Sequence, residues 1–406
     1  MGYDTAGTQA MKKYPILVAC FCTVFVAYAV RYGYGVLLPE MLPVMAVSKA
    51  GAGIVYASFF VAYTVFSPLL GLMGDRYNSR ALISLFVGLL GVGALLMAFS
   101  KSIVQASLFF TLAGIGSAAC WAPVMALARR WTDQRRKGTT LALIDIGSAL
   151  GIIAAGSAIP ALVVAADWTA GWITLGAAGL AVAALDLVFI RHSPDDIPGV
   201  RLAGRGYTGG LLHDTLAGLL RDFRFWLIGL AYLLTGFAIL IPFTFLSTYA
   251  VEEMSYTYRA ATGLLTVIGV SAIAGKLILG PLSDRVGRVH VMMLCGVLIA
   301  AGCLGMAWGW GGALPYVSTV VFGLGYGAVW AVYAAVASDY FPPEMTGSIV
   351  GLWTMYLGVG SVVSPVAAGW IADVTGTLAW SFVLAGAGAA VSLLLLVPVW
   401  RARPAR

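Results

Sequence analysis

Charge is what this chain has least of. Only 10% of its 406 residues are Asp, Glu, Lys or Arg, against about 25% in an ordinary soluble domain. That excludes a water-soluble globular protein, which would need far more polar surface to cover a core this apolar. Histidine is scarcer still, with three in all: His192, His213 and His290. They lie far apart in sequence, near the ends of apolar runs. A membrane enzyme would need His, Cys or acidic groups clustered at one depth, and none is found. The five cysteines, Cys20, Cys22, Cys120, Cys295 and Cys303, all sit inside apolar runs, with no metal-ligand spacing to a histidine. They read as small packing residues, so neither a metal nor a cofactor is expected. The first apolar run is long, contains Arg31 and has no convincing cleavage site, so it does not read as a signal peptide.

What remains is hydrocarbon. Hydrophobic residues make up 61% of the chain, and its mean hydropathy is +0.93. Apolar runs of about 20 residues mark membrane-spanning helices. Twelve are legible, near 15–38, 50–71, 81–99, 103–128, 139–163, 168–190, 225–250, 260–280, 290–309, 314–338, 347–371 and 378–399. They are too long for strands and lack a period of two. The net charge of +7 does not point to nucleic acid, because of where the cations fall. Of 24 Lys and Arg, 19 lie in the two termini and in alternate loops; Lys49, Lys101 and Arg259 lie near the other loops. That asymmetry predicts both termini in the cytoplasm.

One long polar break, 191–224, divides the chain into an N-terminal bundle, 1–190, and a C-terminal bundle, 225–406, of six spans each. The break begins Pro- and Gly-rich. It ends with Leu212, Leu216, Leu220 and Phe223 on one helical face, the pattern of an amphipathic helix on the inner membrane surface. The halves repeat at a constant offset of 209 residues. Gly71 maps to Gly280, Asp75 to Asp284 and Arg76 to Arg285. Gly114 maps to Gly323, Gly116 to Gly325, Trp121 to Trp330, Gly138 to Gly347 and Gly151 to Gly360. A shared register over three helix pairs, carrying an Asp-Arg and a tryptophan, signals an internally duplicated architecture.

The repeated loop is G-x-x-x-D-R-x-G-R at Gly280–Arg288, with a partial copy, GLMGDRYNSR, at Gly71–Arg80. With twelve spans and a central loop, this resembles the major facilitator superfamily over nearly the whole chain. In the first copy Asn78 and Ser79 stand where the motif has glycine and arginine. The resemblance implies an all-α membrane protein of two pseudo-symmetric six-helix bundles that rock around a central site. Gly71, Asp75, Arg76, Arg80, Gly280, Asp284, Arg285 and Arg288 would then form gating loops that lock in one state and release in the other.

Two cations lie inside spans, Arg31 and Lys276. Lys276 is eight residues before Asp284, about 12 Å inside the helix end. A charge at that depth costs roughly 2.5–3.5 kcal/mol and faces a cavity or a partner. Arg31 is about 22 Å along the first span, beside Tyr28, Tyr32 and Tyr34. It either snorkels to the outer surface or faces the cavity. Asp145, about 10 Å into the fifth span, is either a protonatable site or an inner carboxylate paired with Arg129 or Arg130. Asp186, five residues before Arg191–His192, is expected at the interface.

A cavity holding Arg31, Lys276 and Asp145 is cationic when empty, so an organic anion is the expected ligand. Tyr28, Tyr32, Trp121, Trp330, Tyr333, Trp353 and Tyr356 are candidate walls for its carbon skeleton. The stretch YGYGVLLPEM, Tyr32–Met41, and a cation four residues before Gly280 resemble monocarboxylate transporters and oxalate:formate antiporters. In those families an arginine in the eighth span binds the substrate carboxylate. Here lysine stands there; it lacks the planar fork but can lose its proton. Asp145 and Lys276 are thus the expected proton-coupling pair. With Asp145 ionised the three charges sum to +1 and suit a monoanion; with it neutral they sum to +2 and suit a dianion.

The expected function is a secondary transporter moving a small mono- or dicarboxylate by proton symport, in a bacterial inner membrane. Its partners are the anion, protons and the bilayer. Nothing demands an oligomer, so a monomer is expected. Organic-anion exchange and drug export are the alternatives, although the GSALGIIAAG stretch lacks the glycine-proline motif of many exporters. A receptor on the same fold would not need the gating motifs.

Overall fold

The computed structural model describes residues 5–74, 78–132, 137–191, 219, 221–308, 312–341 and 346–402. Asp75, Arg76 and most of the 191–224 loop, with Leu212, Leu216 and Leu220, lie outside them. Every backbone polar group in hydrocarbon must be bonded within the segment, so the apolar runs become helices. Among the described residues twelve are long and apolar enough to cross a membrane, in the order the sequence predicts.

The first half contains α1 (Thr5–Met45), α2 (Lys49–Gly74), α3 (Ser79–Met97), α4 (Ile103–Ser117), α5 (Ala122–Arg130), α6 (Lys137–Ser157), α7 (Ile159–Ala165) and α8 (Trp168–Phe189). The second contains α9 (Phe223–Glu252), α10 (Tyr258–Val286), α11 (Arg288–Trp308), α12 (Leu314–Tyr340), α13 (Thr346–Thr375) and α14 (Ala379–Arg401). The fourth and fifth spans are each broken in two. Pro123 and Pro160 lie at the start of α5 and α7, where a missing N–H is harmless but a continuous helix is not. Short polar side chains cap several starts. Asn78, Ser102, Asp167, Asp222 and Thr257 accept N–H groups of α3, α4, α8, α9 and α10. Gly287, at φ +106°, makes the turn from α10 to α11, a conformation that disfavours any residue with a Cβ.

Glycine sets the packing distances, and it does so twice. A Cβ on Gly114 would lie 2.3 Å from the Phe59 carbonyl oxygen, and one on Gly323 would lie 2.9 Å from that of Ile268. Gly93 abuts Ala113, and Gly302 abuts Phe322. Gly116 meets Phe86 and Leu90, and Gly325 meets Cys295 and Ile299. In each case both the glycine and its partner recur at the same offset. The internal repeat is therefore a repeat of contacts, made by small residues because lipid supplies little hydrophobic force between helices.

The halves meet along α2 with α13, α6 with α10, and α1 with α9. These contacts concentrate away from the chain termini, at what we call the far end. There Lys49 Nζ is 2.9 Å from Glu252 Oε2. The Asp373 carboxylate accepts the N–H groups of Lys49 and Ala50 at 3.0 and 2.9 Å, capping α2 from the other half. Tyr258 donates to the Val36 carbonyl at 3.0 Å. Between described residues, the hydrogen bonds and ion pairs that join the halves lie at the far end and at the centre, and none lies at the end that carries the termini. In that sense the molecule is closed at the far end and parted at the other. Removing a helix cap costs about 1 kcal/mol. Asp373→Ala is therefore expected to loosen the far end, read as faster maleimide labelling of a cysteine at Val36 in a background lacking native cysteines.

Candidate functional site

The centre of the molecule is built around two cations with opposite circumstances. Lys276, on α10, is fully engaged. Its Nζ lies 2.6 Å from Asp145 Oδ2, 3.1 Å from the Asp145 carbonyl and 3.0 Å from Ser148 Oγ. An ammonium has three protons to donate, and all three acceptors come from α6 in the other half. Asp145 thus pairs with Lys276 across the halves, not with Arg129 or Arg130. The close approach depends on Gly269, where a Cβ would lie 3.0 Å from the Ala149 carbonyl. The pair is partly open, with side chains 17% and 33% exposed.

Arg31 is buried, 7% exposed, so it does not snorkel to the surface. Four rings surround its guanidinium: Tyr63 at 4.5 Å, Tyr28 at 4.8 Å, Phe59 at 5.5 Å and Phe60 at 5.7 Å. Nη2 donates to Ser117 Oγ at 3.1 Å. Nε is buried with no acceptor, and among the described residues no carboxylate stands at ion-pair distance. Ring faces attract a cation but do not neutralise it. Tyr56, Phe59, Phe60 and Tyr63 stand at i, i+3, i+4 and i+7 on α2, an aromatic face that sequence reasoning overlooked; Ser117 gave no signal.

The expected aromatic walls divide. Tyr32 packs on Phe243 at 4.0 Å and shares a 3.2 Å hydroxyl contact with Tyr326 of the other half. Trp330 packs on Tyr326 and Tyr232, and Tyr333 stacks on Tyr232 at 4.3 Å while meeting the Thr235 hydroxyl at 3.1 Å. Trp121 stands at the break between α4 and α5, 39% exposed. Trp353 corrects the expectation: it is fully buried and donates its indole N–H to the Phe225 carbonyl at 3.0 Å. A buried indole needs that acceptor, which fixes it in the core of the second half. Tyr356 packs beside it on Phe225 and Trp226. Asp186 is a second correction. It is completely buried, not interfacial; Thr23 donates to Oδ2 at 2.8 Å, and Oδ1 has no partner.

In the gating loop, Arg288 donates to Asp339 Oδ1 and the Ala335 carbonyl, both at 2.8 Å, and Asp284 lies 3.7 Å from it. These partners are all in the second half. Among the described residues no ion pair joins this loop to the first half. Arg285 is exposed, and Arg80 is half-buried with its backbone N–H capped by Asn78. The cysteines are free, four of them buried, and no group able to hold a metal occurs among the described residues.

Two halves of six spans, duplicated contacts and a charged centre between them define a two-bundle membrane scaffold. The Major Facilitator Superfamily family model matches residues 20–278 and 259–406, and the chain belongs to that superfamily. It is 22% identical to the hexuronate transporter of Bacillus subtilis over 95% of this chain and 94% of that protein. It is 23% identical to a probable sulfoacetate transporter of Cupriavidus necator, over 95% of both. It is 24% identical to monocarboxylate transporter 12-B of Danio rerio, over 95% of this chain and 86% of that one. The fold superposes on the nucleoside transporter NupG with a TM-score of 0.78, covering 95% of this chain and all of that one at 15% identity. The chain is accordingly a multi-pass membrane transporter and not an enzyme.

Proposed function

We propose that this transporter carries a small organic anion, a mono- or dicarboxylate, by alternating access, with proton symport as the coupling. The observation that carries this reading is Arg31: a buried guanidinium caged by four rings, with Nε lacking an acceptor. A carboxylate supplies what is missing, both the charge and the acceptor. Tyr28, Tyr32 and Tyr63 would lie against the carbon skeleton. The lysine and arginine asymmetry supports a cytoplasmic terminus-bearing end; in the bacterial inner membrane proposed here, the parted end would then face inward. Residues 1–190 and 225–406 are the two moving bodies, and the Lys276–Asp145 pair joins them in this state. Its breakage and re-formation, with gain or loss of a proton, is the coupling step. The glycines of the two loops would close the parted end in the other state, bringing Asp284 and Arg288 toward the first half.

A thermal-shift screen of the purified protein against small organic acids at two pH values tests this. Stabilisation by organic acids is expected, followed by their flux in proteoliposomes. Stabilisation only by neutral or cationic compounds would sink the anion reading, and stabilisation without flux would make the protein a receptor. Accumulation driven by an imposed pH gradient separates symport from exchange.

A further inference from the structure

The two cations at the centre of the molecule differ in what they have left to offer a ligand. Lys276 has no free donor: its three protons meet Asp145 Oδ2, the Asp145 carbonyl and Ser148 Oγ. Arg31 has a hydroxyl, four ring faces and no carboxylate. The two cations also stand at different depths. Gly151 of α6 packs against α1 at Tyr28, whose Cβ would be 3.2 Å from an added Cβ. Asp145 is six residues before Gly151, and Arg31 is three residues after Tyr28, on helices running the same way. Their backbones are therefore about 13 Å apart along the bundle axis. A single head group seated on Arg31 therefore needs nothing from Lys276, and while Asp145 holds its three protons Lys276 has nothing left to offer a second one.

We propose that Asp145 is a specificity-determining residue that sets ligand charge: by occupying Lys276 it leaves Arg31 as the single uncompensated cation, and the ligand is an organic monoanion with one carboxylate or sulfonate head. This rests on the organic-anion reading above. A dianion brings a second negative charge into a site whose other cation is already neutralised by Asp145, and like charges at close range in a water-poor interior repel strongly. Asp145→Asn keeps the side-chain shape, removes its charge, and leaves Lys276 free to compensate a second carboxylate. The substitution should therefore shift preference toward dianions, without any change at Arg31.

The test uses matched pairs that differ by one charge: butanoate against succinate, benzoate against phthalate, and gluconate against glucarate. Binding is measured on purified protein by thermal shift over a concentration series. In the wild type the monoanion of at least one pair should bind tenfold or more tighter than its dianion. Asp145→Asn should narrow that ratio at least fivefold. A wild type that binds a dianion as well as its monoanion, or an unchanged ratio in Asp145→Asn, overturns the proposal while leaving organic-anion transport standing. Binding of no acid, with binding of neutral or cationic compounds, overturns both. If Asp145→Asn does not fold, the double change Asp145→Asn with Lys276→Met decides. It removes both charges of the pair and leaves Arg31 as the single cation, so a monoanion preference like that of the wild type is expected. A tenfold loss of monoanion affinity would place Lys276 on the ligand and overturn the assignment.

Discussion

Replacing Arg31 with glutamine is expected to reduce uptake to background and to weaken anion binding about a hundredfold, near 3 kcal/mol, as when one member of a buried charge pair is truncated. Glutamine retains hydrogen-bonding capacity but loses the charge. The guanidinium is also hard to replace by lysine, since it packs on four rings at 4.5–5.7 Å while donating to Ser117, and a planar, weakly hydrated cation suits aromatic faces better than an ammonium. Arg31→Lys should therefore retain only a small part of the activity. The same residue makes an opposite prediction for the empty protein. A buried cation without a carboxylate is a burden on the fold, and neutralising it should not lower the melting temperature. Thermal scans with and without ligand measure both effects. A large loss of stability in ligand-free Arg31→Gln, with ligand response intact, would assign Arg31 to structure and not to the anion.

Lys276→Ala carries the second large effect. It removes the cation from Asp145 and cuts a tie between the halves at 2.6 Å. Both side chains are partly exposed, so solvent screens the pair and its worth to stability is well below that of a sealed one. Its worth to coupling is another matter. Accumulation driven by a pH gradient should fall to background, while monoanion binding persists. Asp145→Asn should likewise lose gradient-driven accumulation but keep counterflow, because exchange needs no net proton. Exchanging the pair, Lys276→Asp with Asp145→Lys, should recover at least tenfold over either single change. Full accumulation in Lys276→Ala would show that the proton path runs elsewhere.

Much of the fold could be read in advance because lipid demands it. Twelve apolar runs had to be helices, and the offset linking Gly114 to Gly323 had to be a structural repeat, since both glycines serve one close contact. The embedded cations stood out because nothing else in their runs is charged. Their partners did not. Lys276 and Asp145 are 131 residues apart and on different halves, and no local spacing reports such a pair. The faces of the helices were harder still. In a soluble protein, hydrophobic periodicity separates core from surface. Here lipid and core are both apolar, so Trp353, fully buried, and Trp121, 39% exposed, look alike in sequence. Asp186 was misplaced for a related reason. Closeness to Arg191 marked the span end, but only the packing of α1 on α8 shows that the carboxyl is covered.

The far-end closure is also an insulator. Backbone meets backbone there, with Gly35 set to meet the Phe243 carbonyl at 1.9 Å, Gly53 that of Pro365 at 2.2 Å and Gly369 that of Lys49 at 2.2 Å if a Cβ were added. A seam this tight has no room for a file of water, and without water a proton has no relay. The seal thereby lets the protein hold a gradient while its other end stands open. A single added methyl group, as in Gly53→Ala, is expected to wedge the seam, read as a proton leak in proteoliposomes without substrate.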